Sequence, residues 1–161
     1  LLPGIRWLAR LPRRPKLAVS LNAPDQRRRE EIMPISRRYP LGELFAELRA
    51  FPLERGRRIT FEYVLIRDFN DAIADARALV SLLHGIPSKL NIIPLNEDRE
   101  HFPGLRRPPV DTVESFAVAL RDAGLTVTVR WSRGADVAAA CGQLRGRTPS
   151  RPGGSGRHGS R

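Results

Sequence analysis

ITFEYVLIRDFNDAIADARALVSLLHGIPSKLNIIPL, residues 59–95, is the stretch that decides the fold. Ile59 to Ile66 is rich in β-branched and aromatic residues, which predicts a strand. Asn70-Asp71 then stands where a helix cap belongs, and Ile73, Ala76, Leu79, Val80 and Leu83 recur at helical spacing up to Gly85. Leu90 to Leu95 (LNIIPL) reads as the next strand, closed by a proline. Strand, helix and strand in this order predict parallel pairing through a crossover, because a tight turn cannot join parallel strands.

The same rhythm runs outward in both directions. Upstream, Leu17 to Asn22 reads as a strand, Pro24-Asp25 opens a charged helical stretch to Ile32, and Leu41, Leu44, Phe45 and Leu48 form one apolar stripe. Leu1 to Arg10 has apolar residues near helical spacing (Ile5, Leu8) and no initiator Met, so a piece of a longer chain is expected. Downstream, Asn96 to Pro109 is a long polar loop. Asp111 and Glu114 resemble a capping box for a helix carrying Val113, Phe116, Ala117 and Leu120, with Gly124 beyond its end. Leu125 to Trp131 is the fourth strand, and Asp136 caps a short Ala-rich segment that carries Cys141. Residues 1–144 are therefore expected to form the folded core. Residues 145–161, which are Gly, Pro, Ser and Arg without one large apolar side chain, are expected to form a basic disordered tail.

Four strand–helix units make half of an eight-stranded barrel or a small doubly wound sheet. In either, chemistry gathers at the carboxyl ends of the strands. The polar residues at those ends are Ser20 and Asn22, then Asp68 and Asn70, then Asn96, then Ser132 through Cys141. They should share one rim.

Composition bounds the partners. Of the 161 residues, 28 are basic and 17 acidic, for a net charge of +11, and five of the arginines lie in the last 17 residues. Such an excess favours phosphate-rich partners through counterion release, so a nucleic acid is the expected partner class. No run of about eighteen apolar residues offers a membrane span, and no leader is evident. One cysteine cannot form an internal disulfide, which fits the reducing cytoplasm. Taken alone, Cys141 reads either as a small buried side chain or as a nucleophile presented among small neighbours.

Four strings resemble, in order, the motifs of the dual-specificity radical-SAM RNA methyltransferases, which methylate carbon 2 of adenine in ribosomal and transfer RNA. They are KLAVSLNAPD with EEIMPI, ITFEYVLIRDFND, KLNIIPLN, and RGADVAAACGQL. The resemblance runs from about Leu2 to Leu144 and implies the C-terminal half of a radical-SAM barrel, a partial TIM-like α/β fold with parallel strands and outer helices. It implies S-adenosylmethionine (SAM) as cofactor, bound by Ser20, Leu21, Asn22 and Asn96. It also implies a 4Fe-4S cluster whose ligands lie upstream of this chain. Cys141 would be the catalytic residue, methylated by one SAM and passing the carbon to adenine after a second SAM, cleaved at the cluster, has supplied a radical. Ribosomal and transfer RNA would be the partners, in the cytoplasm, with no membrane and no obligate protein partner.

The chain departs from the family pattern in places. Asn22 replaces the usual His, Ala135 and Ala138 replace acidic residues, and Leu95-Asn96-Glu97 stands where the family has Trp-Asn-Pro. The family's cluster motif needs three cysteines and this chain has one. A related carbon-8 adenine methyltransferase has similar motifs. A non-catalytic RNA-binding module would instead use the basic surface, with Trp7 and Trp131 as stacking platforms rather than core or rim packing. Asn96 to His101 holds enough carboxylate and imidazole to raise a metal hydrolase as a third reading, although a hydrated acidic loop explains the same letters.

Overall fold

The computed structural model describes residues 1–98 and 100–131. Its centre is a four-stranded parallel sheet in the order β1 (Ala18–Ser20), β2 (Ile59–Leu65), β3 (Ser88–Pro94), β4 (Thr126–Val129). The strands pair in a register that aligns Val19, Phe61, Leu90 and Val127 across the sheet. Five helices accompany them: α1 (Leu2–Ala9), α2 (Gln26–Ile32), α3 (Leu41–Ala50), α4 (Ile73–Leu83) and α5 (Val110–Asp122).

The strand order settles which of the two expected architectures is present. A doubly wound sheet reverses direction at a switch point, whereas here each strand adds beside the last. Successive right-handed crossovers in one direction carry their helices to one face, as in a barrel wall. Packing agrees. Phe45 of α3 stacks on Phe61 at 5.7 Å between centroids, and Phe116 of α5 stacks on Tyr63 at 5.9 Å. Leu79 and Leu83 of α4 and Leu2 and Ile5 of α1 join the same core.

The two faces of the sheet differ as this winding requires. Along β2 burial alternates, with Ile59, Phe61, Tyr63 and Leu65 buried under the helices and Thr60, Glu62 and Val64 only partly covered. The register places Lys89 and Thr126 in line with Thr60, and Ser20, Asn91 and Thr128 in line with Glu62. The helix-free face is therefore polar.

Several local expectations shift. Helix α4 begins with Ala72 at its N-cap, so Asn70-Asp71 is not the cap; the Asp75 carboxylate reaches back to the Ala72 N–H at 3.3 Å. No capping box forms at α5, because Pro109 precedes it and Asp111 turns to the adjacent Thr112 N–H at 2.7 Å. Gly124 does end α5 with φ +86°, a conformation that spares glycine the Cβ penalty. Trp7 is 62% exposed and takes no part in the core. None of the described helices is long and apolar enough to cross a membrane. Asp136 and the tail at 145–161 lie outside the described residues.

Candidate functional site at the strand carboxyl ends

Because all four strands run parallel, their carboxyl ends form one rim. Ser20, Leu21 and Asn22 leave β1 there. Asn96 follows Leu95, whose N–H donates to the Leu65 carbonyl at the end of β2 at 2.9 Å. Ser20, Asn22 and Asn96 thus stand at the same end of the sheet. Cys141 and the segment from Ser132 lie outside the described residues.

The rim is held by amide side chains. Asn22 turns the chain out of β1 with φ +58°, a left-handed geometry that Asn tolerates better than most residues. Its Oδ1 accepts from the Val64 N–H at 3.0 Å, and its Nδ2 lies 3.3 Å from the Met33 sulfur. Asn70, fully buried, donates to the carbonyls of Asn22 and Val64, each at 2.8 Å, and accepts from the Ile66 N–H at 2.7 Å. The Tyr63 hydroxyl then donates to the Asn70 carbonyl at 3.0 Å, and burial pushes that phenol well above its ordinary range.

A charged layer lies outside this brace. Arg28 pairs with Asp75, lies 2.6 Å from the Asp25 carboxylate and donates to the Phe69 carbonyl at 2.8 Å. The hydrogen bond it donates to Asp75 is the largest cause holding this guanidinium firmly protonated. Ile32, Met33, Ile66 and Leu95 form a small apolar cluster against which Phe102 and Leu105 of the loop are packed.

The four residues expected from the sequence to bind a cofactor differ in what they have left to offer. Leu21 is fully buried; its N–H donates to Glu62 and its carbonyl accepts from Ala23 and Arg29. The Asn22 side chain is spent on Val64 and Met33. By contrast, the Ser20 hydroxyl and the Asn96 amide are half-buried and make no hydrogen bond among the described residues. On the polar face, two strands across from Ser20 in register, Asn91 is 6% exposed and its Oδ1 has no hydrogen-bond partner among the described residues.

The acidic loop is organised as a turn. Asp98 accepts from the N–H groups of Glu100 and His101 at 3.2 and 3.0 Å, and His101 Nδ1 lies 2.9 Å from its second oxygen. The backbone bond from His101 is the largest cause holding the Asp98 carboxyl below its usual range. No cluster of three or more metal-ligating side chains occurs among the described residues. Trp131, 43% exposed just beyond β4, carries the Arg107 guanidinium over its ring at 5.5 Å.

Sequence reading misses the bracing roles of Asn70, which is buried, and Arg28, which is partly exposed. The sequence reads Asn70 as a helix cap and a rim residue, and nothing in its neighbourhood distinguishes a capping Asn from a bracing one until β1 and β2 are side by side. The alternation of Thr60 and Glu62 with Ile59, Phe61 and Tyr63 is the available signal for the polar face.

Comparison with known proteins fits this arrangement. No family model matches the chain. Over 131 residues it is 53% identical to the dual-specificity RNA methyltransferase RlmN of Anaeromyxobacter dehalogenans, a match covering 80% of this chain and 34% of the relative. Over 149 residues it is 46% identical to RlmN of Pelobacter propionicus, covering 91% of this chain and 42% of that protein. A solved radical SAM methyltransferase from Sphaerobacter thermophilus superposes with a TM-score of 0.79 at 49% identity, over 90% of this chain and 42% of that one. The chain is similar to one part of the radical-SAM RNA methyltransferases. It spans roughly a third to two fifths of the length of the family members it matches. A domain of pyruvate-formate lyase-activating enzyme from Bacteroides vulgatus, at 14% identity and a TM-score of 0.62, shares the fold.

Proposed function

We propose that this chain is the part of a radical-SAM RNA methyltransferase that carries one wall of the SAM site and the methyl-bearing cysteine. The whole protein would methylate carbon 2 of adenine in ribosomal and transfer RNA in the cytoplasm. The observation that carries this reading is the pairing of two unspent side chains, Ser20 and Asn96, on one rim beside a polar, helix-free sheet face. It is joined to 49% identity with a solved radical SAM methyltransferase.

The donor set fits SAM. A hydroxyl, a side-chain amide and the unpartnered Asn91 Oδ1 offer both donors and acceptors to a ligand bearing an amine, a carboxylate and a nucleoside. Bound there, SAM supplies the methyl group. Ser20 and Asn96 orient it, while the Asn22–Asn70 brace keeps the end of β1 from moving. An iron–sulfur cluster does not fit this chain alone, since three thiolates are required and Cys141 is the single cysteine. The sequence string RGADVAAACGQL supports Cys141 as the residue that receives the methyl carbon. The basic excess supports an RNA substrate.

The test uses the complete enzyme containing this chain. Cys141→Ala should abolish adenine methylation while leaving reductive SAM cleavage within a few-fold of normal. Methylation at an undiminished rate overturns the assignment.

A further inference from the structure

The end of the sheet opposite the rim carries a pocket of another character. Residues 14–17 lead into β1, the turn at 54–57 follows α3, and Thr60 and Lys89 each stand one residue inside β2 and β3. Together they enclose about 300 Å³ at the amino ends of the strands. About 20 Å, the length of the seven-residue β2, separates this pocket from the rim. The two share no residue among those that line the pocket.

Its charge is one-sided. Arg14, Lys16, Arg57, Arg58 and Lys89 line it, and among the described residues Glu54 is the single carboxylate that does so. Glu54 is already engaged, 2.9 Å from Arg57 Nε. That pairing fixes Arg57, whose Nη1 also donates to the Arg14 carbonyl at 2.8 Å. The Arg57 N–H closes the turn on the Glu54 carbonyl at 2.9 Å, with Gly56 at φ +79°. Arg58 donates to the Thr126 hydroxyl at 3.0 Å. The side chains of Arg14, Lys16, Thr60 and Lys89 have no hydrogen-bond or ion-pair partner among the described residues, and Arg14 Nε is buried without one. Glu62, two residues beyond Thr60 on the same face, pairs with none of these cations.

Cations gathered around one hollow repel one another, and the apolar side of the pocket, Leu17, Phe51 and Leu53, screens them less than water would. An anion seated among them is attracted by all of them at once. We propose that this pocket binds a phosphate group. Phosphate oxygens point in tetrahedral directions and can meet donors that arrive from several segments, whereas a carboxylate is planar and meets one fork. Arg57 is held in place by Glu54, Arg14 brings an unspent Nε, and Thr60 brings a free hydroxyl. Lys16 and Lys89 add charge on flexible stems from either side. Two sources carry this chemistry, free phosphate and the backbone of an RNA.

The test is calorimetric titration of the complete enzyme containing this chain, at constant ionic strength. Inorganic phosphate represents the free source. Oligouridylate without terminal phosphates represents the backbone, and neither probe offers an adenine to the rim. Binding of oligouridylate, alone or in competition with phosphate, identifies the backbone as the source; binding of phosphate alone identifies the free anion. Lys16→Gln combined with Lys89→Gln should weaken the bound probe about ten-fold or more. Arg27→Gln combined with Arg77→Gln removes the same charge from exposed sites on α2 and α4, and should change binding less than about two-fold. Lys16→Arg combined with Lys89→Arg keeps both charges and should bind normally. The proposal is overturned if neither probe binds, if acetate competes as well as phosphate, or if the distant pair of substitutions weakens binding as much as the pocket pair. Loss of binding in the Lys→Arg variant overturns it too. Adenine methylation is not read, so failure here leaves the functional reading standing, and failure of that reading leaves the pocket.

Discussion

The side-chain amide of Asn70 donates to the backbone carbonyl of Asn22 at 2.8 Å, across 48 residues of sequence. That bond ties the turn after β1 to the turn after β2. Its partners leave no slack, since the same Asn70 side chain also holds Val64 and Ile66. Asn70→Ala would strand one N–H and two carbonyls in a buried place, and should cost about 3 kcal/mol. Asn70→Asp should cost at least as much, because a carboxylate can accept from Ile66 but cannot donate to two carbonyls. Urea unfolding at neutral pH measures both, and an unchanged midpoint in either variant contradicts the brace.

Ser20 and Asn96 should behave in the opposite way. Neither side chain supports the fold among the described residues. In the complete enzyme, Ser20→Ala and Asn96→Ala are expected to weaken SAM binding by about 1 kcal/mol each, roughly five-fold, with little change in thermal midpoint. Asn22→Ala should show the reverse weighting, because its side chain is committed to Val64 and Met33. Calorimetric titration beside thermal melting separates the two patterns.

The cap of α2 sets a pH dependence. Burial pushes the Asp25 carboxyl up, but the Arg28 N–H at 2.9 Å and the Arg28 guanidinium outweigh it and leave the group below its ordinary value. A depressed folded pKa means that the stabilisation is complete above the unfolded aspartate value of about 3.9 and is lost as pH falls through the lower folded value. Asp25→Asn retains an acceptor for the cap and removes the titration. The stability gap between the parent and this variant should therefore shrink between about pH 5 and about pH 2, as read by denaturant midpoints across that range. A gap that widens on acidification would refute the pairing.

The single cysteine makes a further statement about metal. Anaerobic treatment of the 161-residue chain with iron and sulfide should give no stoichiometric 4Fe-4S cluster and no SAM cleavage, because three thiolates are needed. Iron analysis, visible absorption and a deoxyadenosine assay read this directly.

The strand–helix rhythm was legible because each element announces itself locally. ITFEYVLI is a strand by its own residues, and the apolar spacing from Ile73 to Leu83 makes a helix with no help from its neighbours. What stayed illegible depends on contacts between distant segments. Strand order chose between barrel wall and doubly wound sheet, and no local pattern encodes it. Asn70 and Asn96 are the same residue type at similar strand ends. One is buried in four hydrogen bonds and the other has none among the described residues, a difference made by whichever loop folds over each. The burial of Arg29 is equally hidden, since three successive arginines give no hint that the third is the buried one.

Winding α1, α3, α4 and α5 onto one side gives the sheet two surfaces under unequal mutational pressure. Phe61, Tyr63, Leu90 and Ile92 answer to volume, where one methylene more or less is felt by the whole core. Thr60, Glu62, Lys89 and Thr128 lie outside that core and answer chiefly to what comes to rest on them. Selection for a new ligand can therefore rewrite the second set at little cost in stability. A laboratory lineage under such selection should accumulate its changes on alternate residues of β2, β3 and β4, with the intervening residues conserved.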